Sequence, residues 1–276
     1  MTSRNSSLKK AVVLAAGRGT RMGSLTGDLP KPMIPVAGQP ILERIVGALR
    51  EAGIRQFLLV TGYRAEVIES HFGDGARWGV EISYFRQTVQ DGTGRAVHLA
   101  REFAGNDSFL LACGDILVAS STYQRLAGQW ASADWDAILT VKIGEDLKHG
   151  GLLVFDRDFF LQELAEKPND AEIHALKRRF GDIKPWYNAA VYVFKPGIFD
   201  YTARLRTSPR GEYELTEALR QMAHDGLRLK GQVIEDLWID VRDPAALEHA
   251  NRLLGANHTP TGSLAANRNS CCDKQL

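Results

Sequence analysis

Lys10-Ala11-Val12-Val13-Leu14-Ala15-Ala16-Gly17-Arg18-Gly19-Thr20-Arg21-Met22 is the stretch that decides the fold. Lys10 to Ala15 is a short aliphatic and β-branched run that stops at small residues and glycine, the pattern of a buried strand. The turn after it lets the backbone approach a ligand closely, and successive free N–H groups there make an anion site. It is not the dinucleotide fingerprint, because Met22 stands where the third glycine belongs, and no Gly-Lys-Ser/Thr of a Walker loop follows. Arg18 and Arg21 within the turn, its place at a strand's carboxyl end, and Lys31 shortly beyond it favour a phosphate-bearing ligand over an unliganded β-turn.

Outward from this turn, strand and helix alternate. Ile41, Leu42, Ile45, Val46 and Leu49 recur at helical spacing after Gln39-Pro40, and Gly53 closes the helix. Phe57 to Val60 predicts a second buried strand, with a helix around Ala65 to His71 after it. Val80, Ile82 and Tyr84 alternate with polar residues, so that strand buries one face. A single helix is expected over Gly94 to Phe103, and a buried strand over Phe109 to Cys113. The alternation predicts an α/β fold, a doubly wound and mostly parallel Rossmann-like sheet with helices on both faces. Beyond residue 115 the strand-like runs Ala137 to Ile143, Leu152 to Phe155 and Tyr187 to Phe194 are separated by longer polar segments. They are expected to complete the sheet and to add a substrate lobe. Asp243-Pro244 caps a last amphipathic helix carrying Leu247, Ala250 and Leu254. One catalytic domain is expected over residues 8–256, and residues 257–276 read as a polar, mobile tail.

The 276 residues, with 34 Lys and Arg against 33 Asp and Glu, give a formal charge of +1. That balance offers no general attraction to nucleic acid or to an anionic membrane. No apolar run approaches the ~20 residues of a membrane span. The polar N-terminus lacks the apolar stretch of a secretory signal. Three cysteines, the lone Cys113 and the adjacent Cys271 and Cys272, make neither a disulfide framework nor a zinc site. A cytoplasmic chain follows as the expectation, with no further large enzymatic domain. Cys113 reads as a small core residue, and His71, His98 and His149 as scattered surface or capping residues.

Three other segments carry chemistry. Gln87-Thr88-Val89-Gln90-Asp91-Gly92-Thr93-Gly94 joins a strand to a helix through glycines that allow close approach. The Gln87 carboxamide can donate and accept, which suits the imide edge of uracil or thymine and can be turned to face cytosine. Asp115 follows the buried run Phe109 to Gly114, so its carboxylate faces the same crevice as the glycine-rich turn. Asp240 interrupts the apolar run Leu237-Trp238-Ile239-Asp240-Val241. Two carboxylates with phosphate oxygens and water make a plausible Mg²⁺ site.

Leu14 to Met22 followed by Leu29-Pro30-Lys31-Pro32-Met33 resembles the signature of the sugar-1-phosphate nucleotidyltransferases, and the resemblance continues to about residue 250. This family includes glucose-1-phosphate thymidylyltransferase and the uridylyltransferase domain acting on N-acetylglucosamine 1-phosphate. The resemblance implies a Mg²⁺-dependent transfer from UTP, dTTP or CTP to a sugar 1-phosphate, with release of pyrophosphate. It implies that Leu14, Ala16, Gly17, Gly19 and Thr20 bind the nucleotide, with Gln87, Gly92 and Thr93 at the base. Arg21 would hold the triphosphate and offset charge on the departing pyrophosphate. Lys31 would contact the α-phosphate and the incoming sugar phosphate. Asp115 in Gly-Asp and Asp240 in Trp-Ile-Asp would hold Mg²⁺. Gly151, Glu166 and Lys167 of Glu-Lys-Pro, and Asn188 would line the sugar pocket. Members are often oligomeric, so a homo-oligomer is compatible with the resemblance.

The sequence departs from the family at three places. Asp91 stands where relatives often have an apolar residue. Arg242-Asp243 stands where many have Gly-Thr, and Ala190 lies near a frequent glycine. Gly211 to Thr216 also resembles a family segment and reads as structural, starting a helix with Leu215 and Leu219 in the core. Lys177-Arg178-Arg179 reads as a solvated face, with a regulatory anion site as the alternative. Rival readings are a cytidylyltransferase acting on a non-sugar alcohol phosphate, and a non-catalytic nucleotide-sugar-binding regulatory protein. A dinucleotide-dependent oxidoreductase is disfavoured by the missing third glycine.

Overall fold

The computed structural model describes residues 8–256. β1 (Lys10–Ala15) runs into the glycine-rich turn, and a hairpin of β2 (Pro35–Val36) and β3 (Gln39–Pro40) delivers the chain to α1 (Ile41–Glu51). There follow β4 (Gln56–Thr61), α2 (Ala65–Phe72), β5 (Glu81–Arg86), the short helices α3 (Thr93–His98) and α4 (Arg101–Ala104), and β6 (Phe109–Cys113). The second half begins with β7 (Ile116–Val118), α5 (Ser120–Ser132), β8 (Ala137–Lys142), β9 (Gly151–Phe155) and β10 (Leu161–Glu166). It continues through α6 (Asp170–Phe180), β11 (Trp186–Phe194), α7 (Ile198–Thr202) and α8 (Leu215–His224). β12 (Leu229–Val233), β13 (Trp238–Asp240) and α9 (Pro244–Gly255) complete it.

Nine strands form one sheet in the order β10-β9-β11-β6-β1-β4-β5, with β8 and β12 branching from β11. β5, β4, β1 and β6 are parallel, as the alternation predicts. From β11 onward the pairs are antiparallel, except that β12 runs parallel to β8. The chain leaves β1 toward β4 on one side and returns to β6 on the other. The strand order therefore reverses beside β1, which opens a crevice at the carboxyl ends of β1 and β6.

Successive residues of β1 serve opposite faces. Ala11, Val13 and Ala15 join one core with the apolar faces of α1, α2 and α5, while Val12 joins a second core with α3, α7 and α8. The five apolar residues of α1 named above are all buried, each stabilising by on the order of 1.5–3 kcal/mol. β5 is an edge strand and exposes alternate residues, as its pattern predicts.

Three differences from the sequence reading stand out. The expected single helix over Gly94 to Phe103 is two short ones, because the Ala100 N–H turns to Val97 O, three residues back. Lys10 Nζ then caps the second by donating to the carbonyls of Phe103 and Ala104. Two of the segments taken as polar connections are helices. α5 buries Thr122, Tyr123, Leu126 and Trp130, and α6 carries an Asn169/Glu172 capping box but buries no residue. The last helix is capped as expected, the Asp243 carboxylate accepting from Ala246 N. The tail expected beyond residue 256, with Cys271 and Cys272, lies outside the described residues. Among the described residues no helix is long and apolar enough to cross a membrane.

Candidate active site

The glycine-rich turn and Lys31 are one construction. Gly19 has φ 70°, and a Cβ added there would lie 2.6 Å from Lys31 Cβ. Only glycine fits both the left-handed backbone and the lysine stem lying directly over it. Lys31 is only 6% exposed, and its Nζ reaches Asp115 Oδ2 at 2.6 Å. Met22 is buried and its N–H donates to Gly19 O, so the single-turn helix after Gly19 presents Arg21 outward.

Asp115 is set by two neighbours. Gly114 N donates to Leu14 O at 2.8 Å, which ties the end of β6 to β1, and Val241 N donates to Asp115 O at 2.9 Å. The antiparallel pairing of β7 with β13 places Asp240 opposite Ile116, so the two carboxylates come side by side. Burial, and then the Asp115 charge, push the Asp240 carboxyl up to about 6, against the opposing pull of Lys31, Arg242 and Arg21. Two acidic groups so confined suit a hard divalent cation that draws its other ligands from phosphate and water. No cluster of three or more His, Cys, Asp or Glu that could hold a metal ion exists among the described residues. Arg242 lies 3.9 Å from Asp240 and 3.8 Å from Asp243.

At the end of β5, Gln87 N donates to Thr61 O at 2.7 Å, and the side chain is buried. Gly92 has φ 124°, and a Cβ there would meet the Tyr213 backbone at 2.4 Å. Tyr213 N donates to Asp91 O and Gly94 N to Tyr213 O, while Thr93 Oγ1 accepts from Leu215 N. The segment before α8 therefore does more than start a helix: it braces the loop that the sequence singles out for base contact. Leu215 and Leu219 are buried as expected.

On the other side of the crevice, Gly151 pairs with Glu166 across β9 and β10. A Cβ at Gly151 would stand 3.4 Å from both Asn188 Cβ and Glu166 Oε2. Asn188 is buried, and its Oδ1 accepts from Tyr192 Oη at 2.9 Å and Ala190 N at 3.2 Å. No such bond holds its Nδ2 among the described residues. Glu166 is pushed up by burial, countered by Lys167 and Arg210, with Thr216 hydrogen-bonded to it. Ala190 has φ 57°, a left-handed backbone in which glycine is at ease and a Cβ is not.

These elements enclose a cleft of about 190 Å³ lined by Leu14, Arg21, Thr93, Asp115, Gly151, Glu166, Asn188 and Asp240. Lys31 reaches it through Asp115. Ala16, Gly17, Gly19 and Thr20 form the turn behind it, and Gln87 and Gly92 sit at the adjoining strand end, outside the lining. Lys167 is exposed and also lies outside the lining, 3.9 Å from Glu166. His149, read from the sequence as surface or capping, faces the cleft, as do Cys113, Tyr187, Thr216 and Trp238. The Cys113 thiol is raised by burial and by the two aspartates, which keeps it protonated. Burial pushes the Tyr187 phenol up to about 12. Arg210 and Thr216, which support Glu166, were missed in the sequence because they lie on a distant segment. A larger depression of about 750 Å³ beside α6 shares Glu166 with the cleft. In it Arg179 pairs with Glu163 and Arg220 with Glu217, and none of Arg21, Asp115 and Asp240, which the smaller cleft brings together, lines it. Lys177, Arg178 and Arg179 are all exposed, the solvated face that the sequence suggests, with Arg179 also pairing with Glu163.

Residues 10–257 match the family model described as nucleotidyl transferase. The chain is 32% identical over 249 residues to the low-salt glycan biosynthesis nucleotidyltransferase of Haloferax volcanii, covering 89% of this chain and 66% of that protein. It is 34% identical over 241 residues to the bifunctional protein GlmU of Methanococcus aeolicus, covering 87% and 53%. It is 31% identical over 246 residues to a glucose-1-phosphate thymidylyltransferase of Streptomyces griseus, covering 89% and 66%. The chain thus spans about half to two-thirds of the length of these curated relatives. Among solved structures, UDP-glucose pyrophosphorylase complexed with UDP-glucose superposes with a TM-score of 0.79 at 20% identity, covering 91% of this chain and 99% of that one. That likeness shows the shared fold. The family match spans both sides of the crevice, and the chain belongs to the nucleotidyl transferase family.

Proposed function

We propose that this chain transfers a nucleotidyl group from a pyrimidine nucleoside triphosphate to a sugar 1-phosphate and releases pyrophosphate. The observation that carries the reading is the convergence of Arg21, Asp115 and Asp240, with Lys31 behind them, on a cleft whose opposite wall is Gly151, Glu166 and Asn188. Cationic and carboxylate groups face one another there as a phosphate-transfer site requires, and the opposite wall offers hydroxyl partners. The relative named glucose-1-phosphate thymidylyltransferase supports both the sugar phosphate and the pyrimidine.

In this reading an oxygen of the acceptor phosphate attacks the α-phosphorus in line. The new P–O bond forms as the bond from the α-phosphorus to the bridging oxygen breaks, and the electron pair leaves on pyrophosphate. Arg21 offsets the charge that accumulates on the leaving group. Lys31, fixed by its passage over Gly19, holds the α-phosphate and the acceptor phosphate at contact distance, so that catalysis is positioning plus electrostatic stabilisation. Asp115 and Asp240 would hold Mg²⁺, which when bound neutralises phosphate charge. Glu166 accepts from sugar hydroxyls and Asn188 Nδ2 donates to a sugar oxygen.

The test is pyrophosphate release across a matrix of UTP, dTTP, CTP, ATP and GTP against sugar 1-phosphates and alcohol phosphates, with Mg²⁺. Activity confined to alcohol phosphates, or absent throughout, overturns the assignment. So does an Arg21→Ala chain with near-normal turnover.

A further inference from the structure

We infer that Asp91 fixes which hydrogen-bonding face Gln87 turns to the nucleobase, and thereby selects a base that carries an imide N–H. The inference rests on the nucleotidyl-transfer reading. Gln87 Nε2 lies 3.3 Å from Asp91 Oδ1 and 3.5 Å from Gly92 O. A carboxylate and a carbonyl can only accept, so the two together hold the amide NH₂ toward themselves. Turning the carboxamide round would set Oε1 against two acceptors. Gln87 is 7% exposed, which leaves little water to compensate.

The acceptor pair is itself rigid. Asp91 O accepts from Tyr213 N at 2.7 Å, Gly94 N donates to Tyr213 O at 2.8 Å, and Gly92 is pressed against the Tyr213 backbone. From below, Gln87 N is tied to Thr61 O. The remaining polar atom, Oε1, accepts no hydrogen bond among the described residues. It is the face left for a ligand.

An acceptor fixed opposite N3 of the base demands a donor there. The N3–H of uracil or thymine supplies one, whereas N3 of cytosine is a bare lone pair that meets Oε1 with repulsion. The carboxamide, which by itself suits either pyrimidine, is thus committed by Asp91 to the imide bases. An apolar residue at position 91 would leave the amide held by Gly92 O alone, over the longer of the two contacts.

The experiment compares UTP, dTTP and CTP with one sugar 1-phosphate in the full chain, measuring kcat/KM for pyrophosphate release and, by calorimetry, Kd for each triphosphate. Wild type should favour UTP or dTTP over CTP. Asp91→Leu should erode that ratio by roughly tenfold or more, through KM and Kd rather than kcat. Asp91→Asn should keep it, because the Oδ1 of the substituted carboxamide can still accept. Asp91→Lys, which offers a donor, should draw Oε1 toward itself and move the preference furthest toward CTP. Equal melting temperatures show that the variants are folded. An unchanged ratio in Asp91→Leu and Asp91→Lys, or a wild type that prefers CTP, overturns the inference. UTP bound over CTP without turnover defeats the transfer reading alone, and failure to bind any pyrimidine triphosphate defeats both.

Discussion

The two halves of the sheet solve different problems with different backbones. β1, β4, β5 and β6 are parallel, in unbroken register, and their ends carry the glycine-rich turn, Gln87 and Asp115. The antiparallel half is irregular. β10 shifts register between Leu161 and Glu163, and β11 shifts against β8 between Asn188 and Tyr192. Phe159, Lys167 and Ala190 all hold left-handed backbones there. Groups assigned to phosphate are thus presented by turns at the ends of straight strands. Of those assigned to the sugar, Asn188 stands where β11 bulges and Lys167 holds a left-handed backbone, which re-aims side chains without adding loops. The comparison teaches that one half can stay fixed while the other varies the acceptor.

The sharpest way to break this division is to disturb the straight half at its crossing point. Lys31→Ala should lower kcat for pyrophosphate release by about 10²–10³-fold, since it removes a positioned cation and leaves Asp115 without its partner. Gly19→Ala attacks the same residue indirectly. The added methyl must displace Lys31, and φ 70° strains any side chain. Turnover should fall by roughly one to two orders of magnitude, with a lower melting temperature and little change in acceptor KM. Near-normal turnover in Gly19→Ala would show that Lys31 does not depend on the turn.

Much of the straight half was legible because its signals are local. An aliphatic run, a glycine turn and a lysine a few residues later are contiguous, and their spacing excludes the dinucleotide and Walker loops. Asp115 was legible as a carboxylate following an apolar run and Asp240 as one interrupting such a run, but their adjacency depends on the β7–β13 pairing, which two three-residue strands do not announce. The supports of the irregular half were not legible. Arg210 and Thr216 reach Glu166 from a segment far along the chain, and no local pattern records such contacts. α5 was hidden by its opening Ser120-Ser121-Thr122, although Tyr123, Leu126 and Trp130 recur at helical spacing. α6 was hidden because it buries nothing, so its only marks are the cap and the basic last turn.

The seam between the halves gives a pH test. Asp240 is pushed up to about 6 by burial and by Asp115, so below that pH the folded chain holds a proton there. A divalent cation must displace that proton. Affinity for Mn²⁺, read by calorimetry or electron paramagnetic resonance, should therefore fall about tenfold per pH unit below 6 and level off above it. Stability without the cation has the opposite sign. The folded-state value lies above the unfolded one of ~3.9, so stability declines as pH rises from about 4 through about 6. Asp240→Asn should flatten both profiles. Cation affinity indifferent to pH across this window would separate Asp240 from the cation.

The smallest effect tests whether the irregular half is held under strain. Ala190 sits at φ 57° where β11 departs from β8, and the bulge is stitched by Thr140 Oγ1, which accepts from Val191 N and donates to Val191 O. Trp238 Nε1 holds it from the other side by donating to Ala189 O. A left-handed alanine costs roughly 1–2 kcal/mol. Ala190→Gly removes that cost but adds about 0.5–1 kcal/mol of unfolded-state entropy and loses a partly buried methyl worth about 0.8 kcal/mol. These terms nearly cancel, so its melting temperature should stay within about 2–4 °C of wild type. Ala190→Val has no such compensation, because a β-branched residue resists φ > 0. It should unfold several degrees earlier and raise the acceptor KM, since Asn188 Oδ1 is bonded to the N–H of residue 190. The KM for the triphosphate should not move. A valine tolerated as well as glycine would mean that the bulge relaxes freely, and that the sugar-side geometry is not fixed by the backbone at Ala190.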